Sequence, residues 1–257
     1  MNYIETIKIG TDILKVAKVK NPVLDAELLL SKVLKTKRED VLVNSDKTIK
    51  EKEFKNFIGL INKRKYKMPV AQILGKKYFW KKSFLVNKKV LIPRPETEII
   101  VESALKIIHK NMQKTILDIG TGSGCIIVSI LHERKSCRGI AIDKSKEAID
   151  IAKTNAKMQH IENRIKFINS DIDKISLNKY DLIVSNPPYI KKSKIISLEE
   201  DVKRYEPLLA IDGGHNGYEM FKKVISRSSK WLKKKGKLIL EIDKDQTRVL
   251  KNMLLKY

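Results

Sequence analysis

Nowhere in the 257 residues does an apolar run reach the roughly 18 to 20 residues that cross a bilayer. The opening stretch, MNYIETIKIG, has neither the apolar core nor the small-residue cleavage site of a secretory signal. A cytoplasmic address without a membrane partner is therefore expected. Cysteine is scarce: Cys125 and Cys137 are too few for a disulfide framework or a four-thiolate zinc site. One bridge or a pair of buried, reduced thiols remains, and reduced thiols are the expectation. His109, His132, His160 and His215 stand singly, without the spacing of metal ligands, so no metal is expected. Acidic residues are outnumbered, 30 against 54 Lys and Arg, for a formal charge of +24. Such a charge attracts polyanions weakly and in a salt-dependent way. The excess is mostly lysine in a chain rich in Ile and Asn, however, which a biased codon supply also produces.

What is present is 42% hydrophobic and 33% charged residues, interleaved throughout. That pattern excludes a disordered acidic tail, a collagen-like repeat and a low-complexity polymer. At about 150 residues per domain, one or two domains are expected.

Residues 1–70 read as helical. Ile7, Ile13, Leu14 and Ala17 recur at helical spacing, Val23 to Val33 follow Pro22, which suits a helix start, and Phe54, Phe57, Ile58 and Ile61 suggest a further helix. No catalytic constellation lies here, so the segment reads as a recognition or stabilising module. Over 71–92 the period shortens, with the runs 78–80, 84–86 and 90–92 suggesting a β-hairpin connector. Two prolines in LIPRPETE, 91–98, then stiffen the chain before a helix beginning near Glu96.

From 93 to 257 strand and helix alternate, with strands expected at 115–118, 139–142, 165–168, 181–185 and 237–242. Alternation of this kind implies a parallel sheet covered on both faces, a doubly wound α/β domain with ligands at the carboxyl ends of its strands.

Each polar motif falls at such an end. After the first strand comes Asp118, then Gly120-Thr121-Gly122-Ser123-Gly124 and a helical run. Glycines admit a ligand close to the backbone, and a helix start offers free amides. A plain structural turn is the competing reading. The spacing is G-x-G-x-G rather than the dinucleotide fingerprint, and an acid precedes it, which favours S-adenosylmethionine over NAD. Asp143 ends the second strand about twenty residues further on, where an acid accepts ribose hydroxyls; alternatively it caps the next helix. Asp171 follows the third strand, placed to receive an adenine amino group with Ile172 along the ring, or simply to make a turn.

Asn186-Pro187-Pro188-Tyr189 follows the fourth strand. An amide or exocyclic amino nitrogen is a poor nucleophile because its lone pair is delocalised. A protein helps by accepting both N–H bonds, here at the Asn186 side-chain oxygen and the Pro187 carbonyl. The prolines fix those acceptors, and Tyr189 offers a flat face to a planar group.

Taken with PVAQILGKKYFW at 69–80, VLIPRPETE at 90–98 and EPLLAIDGGHNGYEMF at 206–221, these motifs resemble the release-factor glutamine N5-methyltransferases, the PrmC/HemK family. RPETE distinguishes that branch from the enzymes acting on a ribosomal protein and from amino-directed DNA methyltransferases. The resemblance implies a class I methyltransferase domain behind a helical N-terminal substrate-recognition domain. It also implies methyl transfer from S-adenosyl-L-methionine to the glutamine of the Gly-Gly-Gln motif in peptide-chain release factors. By that similarity the 120–124 turn, Asp118, Asp143, Asp171, Ile172 and Asn186 bind the cofactor. Asn186 to Tyr189 hold the glutamine, and Arg94 and Glu96 shape the entrance unless they form a salt-bridged helix start. The alternatives are an N6-adenine type nucleic-acid methyltransferase and a non-catalytic basic module. Two departures stand out: Asp243 replaces the usual glycine after the fifth strand, and the sequence stops at Tyr257 before the family's closing hairpin, which would leave the fifth strand as an exposed edge.

Overall fold

The structure, a computed structural model, describes residues 1–176 and 178–256; residues 177 and 257, within the expected methyltransferase domain, lie outside it. The chain forms two compact units. One comprises Met1–Gly75 with Glu199–Tyr205, the other Lys76–Leu198 with Glu206–Tyr257.

In the first unit, α1 (Tyr3–Val16), α2 (Pro22–Leu34), α3 (Arg38–Val43), α4 (Glu51–Lys65) and α5 (Val70–Leu74) pack on one another. The Asn2 side chain accepts the Glu5 amide at 2.9 Å while the Glu5 carboxylate accepts the Asn2 amide at 2.8 Å, a reciprocal cap that starts α1. Leu14, Leu29, Leu30, Phe57 and Ile61 are fully buried and supply the apolar core. Inside it, Arg64 Nε of α4 donates to Asp25 Oδ2 of α2 at 2.6 Å. The Glu199–Tyr205 return was not anticipated: Gln72 Nε2 donates to the Tyr205 carbonyl at 2.7 Å, and the Tyr205 hydroxyl to the Tyr66 carbonyl at 2.8 Å.

The second unit begins with an antiparallel hairpin, β1 (Lys76–Phe79) and β2 (Lys82–Leu85). The expected hairpin segment is shorter than 71–92. Residues 70–74 are helical, and 90–92 carry no strand although Val90 and Ile92 are buried. After α6 (Glu98–Ile107) the chain alternates through β3 (Thr115–Ile119), α7 (Cys125–Glu133), β4 (Arg138–Asp143), α8 (Lys146–Met158), β5 (Ile165–Asn169) and β6 (Tyr180–Ser185). After the short helix α9 (Glu200–Tyr205), which belongs to the first unit, the second continues with α10 (Leu208–Ile211), α11 (Glu219–Trp231), β7 (Leu232–Leu240) and α12 (Thr247–Leu254).

All neighbours in the sheet β5-β4-β3-β6-β7 are parallel. Strand residues alternate between two apolar layers. Ile116, Leu182 and Val184 pack with α6 and α7 on one face, whereas Leu117, Ile119 and Ile183 pack with Val224 and Trp231 of α11 on the other. Burial of both faces is why these strands read as continuous apolar runs. The order reverses at β3, whose neighbours are β4 and β6, so the crevice opens at the carboxyl ends of these strands.

The bounds of the last strand differ from the sequence reading. The last strand starts at Leu232 rather than 237, because an irregularity opposite Tyr180 lets Leu232 pair before the ladder resumes at Lys237; it ends at Leu240, an edge of the described sheet. Asp243 caps the turn that follows: its carboxylate accepts the Asp245 amide at 2.9 Å at the start of the 3-10 turn Lys244–Gln246. Both cysteines are free and buried, as expected.

Candidate active site

A cavity of about 300 Å³ lies at the carboxyl ends of the central strands. Its floor is the glycine turn between β3 and α7, where Gly120, Gly122 and Gly124 have φ of 72°, 55° and 78°, a region closed to most side chains. The turn is clamped from both sides. The Gly120 and Thr121 amides donate to the Ile142 carbonyl at 2.9 and 3.0 Å, and the Gly122 amide to Asp143 Oδ2 at 2.9 Å.

Asp143 lines the cavity at the end of β4, and its other oxygen accepts the Ser145 amide at 2.9 Å. Burial raises its pKa. The cap of α8 is not Asp143 but Ser145, whose hydroxyl accepts the Ala148 amide at 3.2 Å. Asp171 is both a cavity residue and a turn residue. It lines the cavity beside Ile172, and it caps the 3-10 turn Ile172–Lys174 by accepting the Asp173 amide at 3.0 Å. That amide, with Lys144 Nζ 3.3 Å away, holds its carboxyl below the usual value.

Asn186, Pro187 and Pro188 form another wall, after β6. Asn186 Nδ2 donates to Thr97 Oγ1 at 3.2 Å. The segment is braced from behind: the Ile190 amide donates to the Ile211 carbonyl at 3.2 Å, the Gly213 amide to the Ile190 carbonyl at 2.8 Å, and Gln246 Nε2 to the Tyr189 carbonyl at 3.3 Å. A Cβ at Gly213 would stand 2.7 Å from the Tyr189 carbonyl carbon, so the backbones approach too closely for a larger residue.

Gly120, Thr121, Gly122, Ser123, Asp143, Asp171, Ile172, Asn186, Pro187, Pro188 and Arg94 thus share one cavity. Four expected residues do not line it. Gly124 sits where the turn meets Ala152. Asp118 is fully buried beneath the turn, where its Oδ2 accepts the Thr121 hydroxyl at 2.7 Å and its Oδ1 has no hydrogen-bond partner; burial pushes its pKa up to about 7. Tyr189 packs instead against the cluster of Phe221 and Leu250. Glu96 is exposed in the 3-10 turn Pro95–Thr97. Arg94 makes its ion pair with Glu206, Nη2 to Oε1 at 2.5 Å, rather than at the start of its own helix.

Sequence reasoning missed Thr97, Glu206 and Glu241. Thr97 and Glu206 lay within quoted strings, RPETE and EPLLA, but nothing local distinguishes them from solvated helix-start residues.

Residues 5–75 match the PrmC N-terminal domain and residues 98–201 the Methyltransferase small domain. The release factor glutamine methyltransferase of Clostridium acetobutylicum is 40% identical over 233 residues, spanning 90% of this chain and 82% of that protein. Its counterparts from Clostridium botulinum and Caulobacter vibrioides are 38% and 35% identical, spanning 96% and 93% of this chain and 89% and 83% of theirs. The chain belongs to the release factor glutamine methyltransferase family.

As a member it is an S-adenosyl-L-methionine-dependent protein methyltransferase with the class I fold. The residues present fit that cofactor. A Cβ at Gly120 or Gly122 would meet nothing within 4 Å, so the turn leaves bare backbone for a ligand. Asp143, each of whose oxygens accepts one backbone amide, keeps lone pairs for a diol. Among the described residues no helix is long and apolar enough to cross a membrane.

Proposed function

We propose that this chain transfers a methyl group from S-adenosyl-L-methionine to the side-chain amide nitrogen, N5, of the glutamine in the Gly-Gly-Gln motif of peptide-chain release factors. The observation that carries this reading is the carboxamide of Asn186. Its nitrogen is engaged by Thr97, so its oxygen is free to accept, on the cavity wall shared with the glycine turn and Asp143.

The turn at Gly120–Gly124, Asp143, Asp171 and Ile172 hold the cofactor, Asp143 accepting from the ribose hydroxyls and Ile172 lying against the adenine. Asp118 acts on that site through Thr121, as the tether of the turn. When bound, the cofactor supplies an electrophilic methyl group on a sulfonium. Asn186 Oδ1 and the Pro187 carbonyl accept the two N–H bonds of the substrate carboxamide. That immobilises a weakly nucleophilic nitrogen with its face toward the methyl donor, and orientation then supplies most of the rate; as the methyl group arrives, the nitrogen gives up one of the two protons held by these acceptors to water. The prolines keep the acceptors from turning away, and Tyr189 acts from the packed side by fixing their backbone. Arg94, held by Glu206, and the exposed Glu96 shape the entrance. The helical unit recognises the release factor, in the cytoplasm. Nothing favours the nucleic-acid alternative or a role for weak polyanion binding.

The test is incubation with labelled S-adenosyl-L-methionine and either a release factor or nucleic acid, followed by mass spectrometry of the Gly-Gly-Gln peptide. One added methyl group on the glutamine is expected; label in nucleic acid alone would overturn the reading.

A further inference from the structure

Glu241 is a carboxylate that neither the cofactor site nor the substrate acceptors require. It lies one residue beyond β7, and its amide donates to the Ser185 carbonyl at 3.1 Å, immediately before Asn186. Its side chain faces Thr97 and Asn186, which favour its ionised form, while burial opposes that form more strongly and leaves its pKa raised. Oε2 is buried and has no hydrogen-bond partner among the described residues. Three elements therefore converge: the end of β6, the end of β7, and the buried Thr97 just before α6.

A carboxamide has two faces, and rotation by half a turn exchanges its donor for its acceptor. A threonine hydroxyl alone would accommodate either, because it both donates and accepts. A carboxylate only accepts. Facing both Thr97 and Asn186, it draws the Thr97 hydroxyl hydrogen and the Asn186 amide hydrogens toward itself, so that Oγ1 is left to accept from Asn186. The amide nitrogen of Asn186 must then face Thr97, as observed at 3.2 Å, and its oxygen must face away. A buried, under-bonded carboxylate oxygen is a standing cost, and such costs persist where they serve a site.

We propose that Glu241, acting on Asn186 directly and together with Thr97, is a positioning residue that locks the Asn186 carboxamide with its oxygen toward the cavity. This rests on the reading of Asn186 as acceptor of the substrate N–H. Protonated Glu241 would return a donor to Thr97 and release the lock. The charged and titratable groups facing the carboxyl are Arg94, which favours its ionisation, Glu96, which opposes it, and Tyr189 and Cys125, which feel its charge.

The experiment uses the full chain with Thr97→Val, Thr97→Ser and Glu241→Ala. Thr97→Val and Glu241→Ala are expected to lower kcat on release factor by about 10- to 100-fold, the lower part of the range for a misplaced polar group at a reaction centre. The cofactor Kd, by calorimetry, should stay within about threefold, and Thr97→Ser should restore most of the turnover. Unchanged kcat, or loss confined to cofactor affinity, would overturn the proposal. The side-chain amide signal of Asn186 in a nitrogen-15 NMR spectrum gives a second readout, independent of turnover and usable should Glu241→Ala fail to fold. It should shift as Glu241 titrates in the parent chain and shift less in Thr97→Val. A pH-insensitive signal in the parent would overturn the lock even in an active methyltransferase. A coupled signal in a chain that methylates no glutamine would overturn the function and leave the lock standing.

Discussion

Asp143 at the end of β4 accepts the amide of Gly122, 2.9 Å away in the turn after β3, so the acid that faces the cavity also holds the neighbouring turn in shape. Removing it deletes the proposed ribose acceptor and loosens the floor together. Asp143→Ala should raise the Kd for S-adenosyl-L-methionine by roughly 10- to 100-fold, the worth of one hydrogen bond to a charged group, with less effect on kcat at saturating cofactor. Calorimetry decides; an unchanged Kd would refute the role.

Asn186 has the opposite signature. Asn186→Ala deletes the acceptor proposed for the reacting nitrogen while Asp143 and the glycine turn remain. Turnover should fall by roughly 100-fold or more, with only a modest loss of cofactor affinity. Single-turnover kinetics on release factor measure the first and calorimetry the second. Near-normal turnover would contradict the mechanism.

Legibility in the sequence followed burial and locality. Strands β3 to β6 were plain because residues such as Ile116, Leu117, Leu182 and Ile183 are buried on both faces and leave continuous apolar runs. Gly120 to Gly124, Asp143 and Asn186 were legible because each follows such a run directly, at a strand end. What stayed hidden depends on pairing between distant segments. Nothing near Glu206 announces Arg94, more than a hundred residues earlier. Glu241 acquires meaning only when β7 lies beside β6. The start of β7 is not legible because Lys233 to Lys235 carry neither an apolar run nor an alternation, and Tyr189 is expected in the cavity because sequence does not tell which side of a wall a ring occupies.

Asp118 makes stability depend on pH. Burial lifts its pKa from 3.8 to about 7, so the folded chain holds this proton more tightly than the unfolded chain. Between those values the unfolded state binds fewer protons, and stability falls as pH rises; above about 7 the full cost of a buried charge is present. Asp118→Asn keeps an acceptor for Thr121 and removes that charge. Its melting temperature should exceed that of the parent at pH 8, and the advantage should vanish near pH 4. A constant difference across the range would exclude the linkage.

In the helical unit, the Asp25–Arg64 pair is nearly sealed from water. Asp25→Ala leaves a guanidinium buried with only the Met68 carbonyl, 3.2 Å from Nη1, as compensation. A loss of about 3 to 5 kcal/mol is expected, whereas replacing both partners with leucine should cost far less, because no unpaired charge remains. Urea unfolding of the two variants compares them, and equal losses would show that the pair contributes through packing alone.

Gly213 tests how the wall carrying Asn186 is braced. Its backbone is not in the left-handed region, so alanine there meets no torsional objection; the obstacle is the Tyr189 backbone, with the carbonyl carbon 2.7 Å and Cα 2.8 Å from the new methyl group. Neither atom belongs to a flexible side chain, so the 186–190 segment must shift to admit it. The shift moves the Pro187 carbonyl and Asn186 while the glycine turn and Asp143, on other strands, stay in place. Gly213→Ala should therefore lower stability by about 1 to 3 kcal/mol, as overpacking does, and reduce kcat by about tenfold or more with the cofactor Kd preserved. If Kd and kcat worsened equally, the brace would be supporting the whole cavity rather than the substrate wall.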